Sequence, residues 1–142
     1  MTSREFFYQF GRLFYKIDSY YADFAKKSGV KPNLLWVLYA LDDNQPHSQR
    51  DISKSWDIPM TTVNTIVLEL QKNGYVELKP IAGKKREMRV VLTDSGKEYS
   101  KTILSDLYEI EERVFQALGD VTDSINVNLE KMLCELKNNK GE

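Results

Sequence analysis

Residues 48–93 read SQRDISKSWDIPMTTVNTIVLELQKNGYVELKPIAGKKREMRVVLT, and this stretch decides the fold. Within it, Val63, Ile66, Val67 and Leu70 recur at i, i+3, i+4 and i+7. That spacing puts an apolar stripe along a helix of the fifteen residues from Pro59 to Asn73. The opposite side carries Thr61, Thr62, Asn64 and Thr65, short polar side chains that suit close contact with a base edge. Gly74 stops the helix, because it takes a left-handed backbone without a Cβ penalty. A shorter helix precedes it. Ser48-Gln49-Arg50-Asp51 has the form of a capping box with Asp in place of Glu, and Ile52 and Trp56 form that helix's inner face. After Gly74, Val76 and Leu78 alternate with Tyr75, Glu77 and Lys79, and Met88, Val90 and Leu92 alternate with Glu87, Arg89 and Val91. Alternation of this kind predicts two strands, here joined by a long, basic, glycine-containing tip. Helix, turn, helix and basic hairpin make a winged helix-turn-helix.

The flanking sequence is helical. Ser3 to about Ser28 reads as one helix of roughly 37 Å at about 1.5 Å per residue. Its apolar stripe, which includes Phe6, Phe10, Phe14, Ile17, Tyr20 and Phe24, is wider than one neighbouring helix covers. Gly29 ends it and Pro32 opens a second helix through Leu41, apolar nearly all round and therefore central to the core. Beyond the hairpin, Thr93 or Asp94 caps a long helix to about Leu118. Gly119-Asp120 breaks it, and a last helix runs from about Thr122 to Lys137. Its face is Ile125, Leu129, Met132, Leu133 and Leu136. The fold class is mainly α with a small β-hairpin, and the 142 residues amount to a single domain.

Composition narrows the function. Hydrophobic content of 42% and charged content of 29% describe a folded globular chain rather than a disordered one. The longest apolar run, Leu34 to Leu41, falls far short of the roughly 20 residues a bilayer span needs, so no membrane partner is expected. The first residues carry no signal-peptide pattern. One cysteine excludes an internal disulfide and fits a reducing cytoplasm. The net charge of −1 conceals an asymmetry. Residues 48–93 hold eight Lys/Arg against five Asp/Glu, a net +3, and the remainder holds twelve against sixteen, a net −4. A basic module in an acidic scaffold is the distribution that localised phosphate binding requires.

An ordered set of motifs resembles the MarR family of bacterial transcription regulators. It comprises Asp51-Ile52, Thr62-Val63, the run from Leu70 to Glu77 (LQKNGYVE), and Leu92-Thr93-Asp94-Ser95-Gly96-Lys97 after the hairpin. The resemblance extends along the whole chain. It implies a winged helix-turn-helix over about 33–93, with helices 3–28 and 94–138 building a homodimer. The dimer would present two recognition helices to successive major grooves of double-stranded DNA, with the wings on the flanking backbone or minor groove. It also implies a repressor released by a small ligand lodged between dimer helices and DNA-reading module. The chain departs from the family where Thr65 replaces a usual arginine and where Leu68-Glu69 replaces a frequent Asp-Arg pair. In the wing, Lys84-Lys85-Arg86 stands where the family has Asp-Arg-Arg, which keeps basic charge but drops the acidic partner.

The candidate DNA contacts are therefore Thr61, Thr62, Asn64 and Thr65 on the helix and Lys84, Lys85 and Arg86 on the wing. A solvated helix face and a solvated hairpin tip are the plainer readings of the same residues. An aromatic set, Phe10, Phe14, Tyr20, Trp36 and Tyr39, is the candidate wall for a small aromatic or phenolic effector, with core and dimer interface as the plainer reading. Cys134 has no nearby base to favour a thiolate and reads as a packed or half-buried cysteine. His47 is the chain's one histidine and reads as a surface residue, so no metal site is assembled and no cofactor is called for. With one Cys, one His and no glycine-rich phosphate loop, no catalytic constellation forms and the chain does not read as an enzyme. The rival to a DNA-binding regulator is a winged-helix module that serves protein interaction only.

Overall fold

The computed structural model describes residues 1–139 and every side chain among them except that of Lys85. Thr2 opens α1 (Ser3–Lys27) with a full capping box. Its hydroxyl accepts the Glu5 N–H at 3.1 Å, and the Glu5 carboxylate accepts the Thr2 N–H at 3.0 Å. Pro32 at the first position starts α2 (Pro32–Leu41), whose Leu34, Leu35, Val37, Leu38 and Leu41 are all buried. A short strand β1 (His47–Ser48) leads into α3 (Gln49–Trp56), closed at its start by the reciprocal Ser48–Asp51 bonds that the sequence indicates. Then come α4 (Met60–Lys72), β2 (Val76–Ile81), β3 (Lys84–Leu92), α5 (Asp94–Leu118) and, after a 3-10 turn, α6 (Thr122–Asn138). No helix among the described residues is long and apolar enough to cross a membrane.

The chain forms two compact units, Met1–Leu104 and the segment from Ser105 onward. In the first, the core is α2 surrounded by Ile52 and Ile58, by Val63, Val67 and Leu70 of α4, and by Val76 and Val90 of the sheet. In the second, no residue of α6 is buried, and Val114, Phe115 and Leu118 of α5 are exposed.

The antiparallel sheet has the order β1-β3-β2. Leu78 pairs with Val90 and Lys79 with Arg89, and the register shifts between Pro80 and Ile81. Two features differ from the sequence reading. The two residues of β1 pair His47 with Val90 and Ser48 with Arg89, adding a third strand too short to show alternation. The tip is also not long: Ala82-Gly83 is a two-residue turn with Gly83 at φ 80°, so Lys84, Lys85 and Arg86 belong to β3 itself.

One junction ties the module together. Gly74, at φ 78°, ends α4 and sends the chain into β2. The Thr93 hydroxyl donates to the Gly74 carbonyl at 2.6 Å and accepts the Gly96 N–H at 3.0 Å, and the Thr93 N–H donates to the Tyr75 carbonyl at 3.0 Å. Thr93 is thus the cap of α5. Tyr75 and Tyr99 stack over this joint with ring centres 4.1 Å apart. Gly96 is buried there, and a Cβ added to it would run into the carbonyl oxygen of Tyr75. Backbone cannot yield as a flexible side chain does. Gly96→Ala should therefore cost about 3 kcal/mol, the upper end of the usual overpacking penalty. The drop should appear in the urea midpoint at unchanged m-value; an unchanged midpoint would show that the joint opens freely.

Candidate nucleic-acid interface

The approach of α4 is set by a tight turn. Asp57 caps α3 in left-handed backbone at φ 52°, and the Ser53 hydroxyl donates to the Ile58 carbonyl at 2.6 Å. Ile58 is buried and anchors the turn. Burying Val63, Ile66, Val67 and Leu70 then fixes which side of α4 faces outward. Thr61, Asn64 and Thr65 are exposed and Thr62 is half-buried, so the four candidate readers share one accessible face and its edge. Met60 and Leu68, also exposed, add apolar surface beside them. The Thr65 hydroxyl donates to the Thr61 carbonyl at 3.0 Å, so its proton is committed and its lone pairs remain to accept. Pro59 makes no side-chain cap, which leaves the first N–H groups of α4 for a phosphate or water.

The wing brings cations up beside its turn. Lys84 and Arg86 are exposed on β3, whereas the Lys85 side chain lies outside the described residues. Lys84 Nζ sits 2.9 Å from the Glu87 carboxylate, and this hydrogen bond raises the lysine pKa above its ordinary value. Glu87 thus partners a lysine of the wing rather than an arginine.

The five aromatic residues of the candidate effector wall do not assemble as one group. Trp36 and Tyr39 do meet, at 5.6 Å between ring centres, and Trp36 is joined by Tyr21 at 5.0 Å and Trp56 at 5.3 Å. Trp56 packs against Trp36 and Tyr39 of α2, on the side of α3 that the sequence indicates, but stays 37% exposed. Phe10 and Phe14 instead stack along α1 with Phe6, and Tyr20 touches the cluster only through the edge of Tyr21. A feature missed in the sequence is a cleft of about 680 Å³ whose lining includes Lys31, Thr61, Thr62, Thr65, Glu69 and Tyr99. It is built from α4, the start of α2 and the first turns of α5, so no local motif announces it.

His47 is half-buried, and its Nε2 lies 2.8 Å from the Asp43 carboxylate. Cys134 is exposed, with the Asn138 amide donating to its sulfur at 3.7 Å, which corrects the expectation of a packed or half-buried thiol. The apolar side of α6 is uncovered in the single chain, so nothing among the described residues encloses that position.

Comparison with known proteins gives a consistent family. Residues 28–87 match the family model described as the MarR family. The HTH-type transcriptional repressor NicR of Pseudomonas putida is 30% identical over 92 residues, 62% of this chain and 58% of that protein's length. Among solved structures, NMB1585, a MarR family regulator from Neisseria meningitidis, aligns with a TM-score of 0.78 at 24% identity, covering 94% of this chain and 98% of its own. MepR of S. aureus in its DNA-binding conformation aligns at 0.76 and 20% identity, covering 92% and 98%. The matched segment holds α2, α3, α4 and most of the wing, the elements that form the helix-turn-helix described above. Residues 28–87 thus match the MarR family model, and the chain shares the fold of MarR regulators of known structure.

Proposed function

We propose that this protein is a homodimeric transcription regulator, acting as a ligand-responsive repressor on a pseudo-palindromic operator. The observation that carries this reading is the outward face of α4, where Thr61, Asn64 and Thr65 stand exposed beside uncapped N–H groups and on the same module as the wing cations. Two such helices would enter major grooves about 34 Å apart, one turn of duplex, with each wing on the flanking backbone or minor groove. Asn64 can pair with an adenine edge, and Thr65, its proton committed, can accept from an exocyclic amine or meet a thymine methyl. Selection of bound duplexes from random DNA tests the reading; recovery of no enriched sequence would overturn it.

Phosphate contacts set affinity and base contacts set specificity. Asn64→Ala and Thr65→Ala should each cost about 1–3 kcal/mol at the selected site while leaving binding to scrambled duplex almost unchanged. Equal losses on both duplexes, read by gel shift at one salt concentration, would show that α4 does not read bases.

The effector reading rests on Trp36 and Tyr39 together with Tyr21 and Trp56, an aromatic wall suited to a flat phenolic or aromatic ligand. Phe10, Phe14 and Tyr20 fit a place in the dimer contact of α1. Ligand binding should change Trp fluorescence, and operator DNA should weaken it by the same factor by which ligand weakens operator binding. Aromatic acids and phenols that leave fluorescence and operator affinity untouched at millimolar concentration would reduce this cluster to core.

A further inference from the structure

On the side of the wing, between its turn and the start of α5, lies a cavity of about 260 Å³ that the DNA-binding reading does not use. Three cations line it: Lys79 from β2, Arg89 from β3 and Lys97 from the first turns of α5. Asn44 and Gln45, from the loop between α2 and β1, also line it, and no acidic residue does; Arg89 is shared with a neighbouring cavity that Asp51 lines. Three observations make this more than a basic patch. Lys79 and Arg89 are direct cross-strand partners, a like-charge pairing that destabilises a sheet when nothing neutralises it. Arg89 is half-buried, and its Nε is fully buried without a hydrogen-bond partner among the described residues. An orphaned buried N–H of this kind calls for an acceptor. Finally, the ion pairs seen among the described residues, Asp43–His47 and Glu87–Lys84, involve none of the three cations.

We propose that this cavity is a binding site for a small multivalent oxyanion, of the polyphosphate or polycarboxylate kind. The planar guanidinium of Arg89 offers two parallel N–H donors to such a group, and the two ammonium groups supply further charge. Asn44 and Gln45 add polar residues to the same lining. The volume of about 260 Å³ admits a small oxyanion. Bound there, the anion joins the α2–β1 loop to both wing strands and to the start of α5.

Thermal unfolding of the full chain tests this, with pyrophosphate and citrate as separate probes at constant ionic strength and chloride as reference. One or both probes should raise Tm saturably, by about 5–10 °C at a hundredfold excess over Kd. A response to pyrophosphate alone identifies a phosphate site, and one to citrate alone a carboxylate site. Arg89→Gln should abolish the response, and without anion its Tm should equal or exceed that of the parent, because a like-charge pair and an orphaned donor are relieved. Lys97→Gln should weaken the response at least tenfold in Kd. A double variant at the start of β3 beside the wing turn, Lys84→Gln with Arg86→Gln, should keep it. The proposal is overturned if neither probe raises Tm above chloride, or if Arg89→Gln retains the full response. It is equally overturned if that double variant alone loses the response, or if Arg89→Gln chiefly lowers the salt slope of DNA binding. That last result would assign the cavity to a DNA phosphate.

Discussion

Leu133→Asp should convert the protein to monomers in light scattering and abolish operator binding. The expectation starts from α6, in which no residue is buried and Leu129, Leu133 and Leu136 are 41%, 52% and 57% exposed. Fully burying a leucine side chain is worth about 1.5–3 kcal/mol, so leaving three at helical spacing in water forfeits a large gain. α1 repeats the pattern. Ala25 is its one buried residue, while Phe7, Leu13, Phe14 and Ile17 are all more than 40% exposed. A second copy is the partner that the proposed homodimer would bring to such faces. An aspartate at 133 would carry an unpaired carboxylate into that apolar contact at a cost of several kcal/mol. It would leave the exposed side of the isolated chain unharmed, so circular dichroism should stay helical. A dimer that survives the substitution would place the interface on other elements.

Neutralising the wing should have an effect of comparable size on DNA. With Lys84, Lys85 and Arg86 all replaced by glutamine, every duplex should bind more weakly, cognate and scrambled alike. Each phosphate that is no longer neutralised lowers the magnitude of the salt slope by about 0.9, so two wings approach about five units, and affinity at moderate salt should fall on the order of a thousandfold. Lys84 should account for the smallest share, because its ammonium already lies 2.9 Å from Glu87 and must leave that partner to meet a phosphate. An unchanged slope would place the wing off the DNA. Together with the losses expected for Asn64 and Thr65, this separates the element that reads from the element that holds.

The helices are legible in the sequence because their signals are local. Thr2 with Glu5, Pro32, Ser48 with Asp51, Gly74 and Thr93 each mark an end through hydrogen bonds or backbone freedom that involve near neighbours. The stripe on α4 is readable for the same reason. Pairing across the chain is not. Strand β1 exists only because His47 and Ser48 lie against Val90 and Arg89, some forty residues on, and two residues carry no periodicity. The charges of Lys84 to Arg86 suggest a loop, whereas the strand runs through them and only Ala82 and Gly83 turn. Trp56 is on the inward side by spacing and does pack on α2, but how far it is covered is not legible from spacing. Candidate readers on α4 follow from the stripe by exclusion. The cleft beside them and the basic cavity on the side of the wing arise from elements far apart in sequence, and composition has no means to show them.

The Thr93 joint bears on how such a regulator changes over time. Because it fastens the feet of the wing to the end of α4 and the start of α5, and β1 holds β3 at Val90 and Arg89, the turn beyond those pairs is the part that stands apart from the core. Each doubling of the length of a flexible loop adds only about 0.6 kcal/mol of closure entropy. Residues can therefore be added or exchanged around Ala82 and Gly83 without refolding anything below. On the proposed function, the two tasks can then drift at different rates. The helix proposed to read DNA is locked to the core on its inner face, while the tip of the wing can be exchanged on its own. A lineage of such proteins would then retune its general grip on DNA before it alters the sequence it recognises.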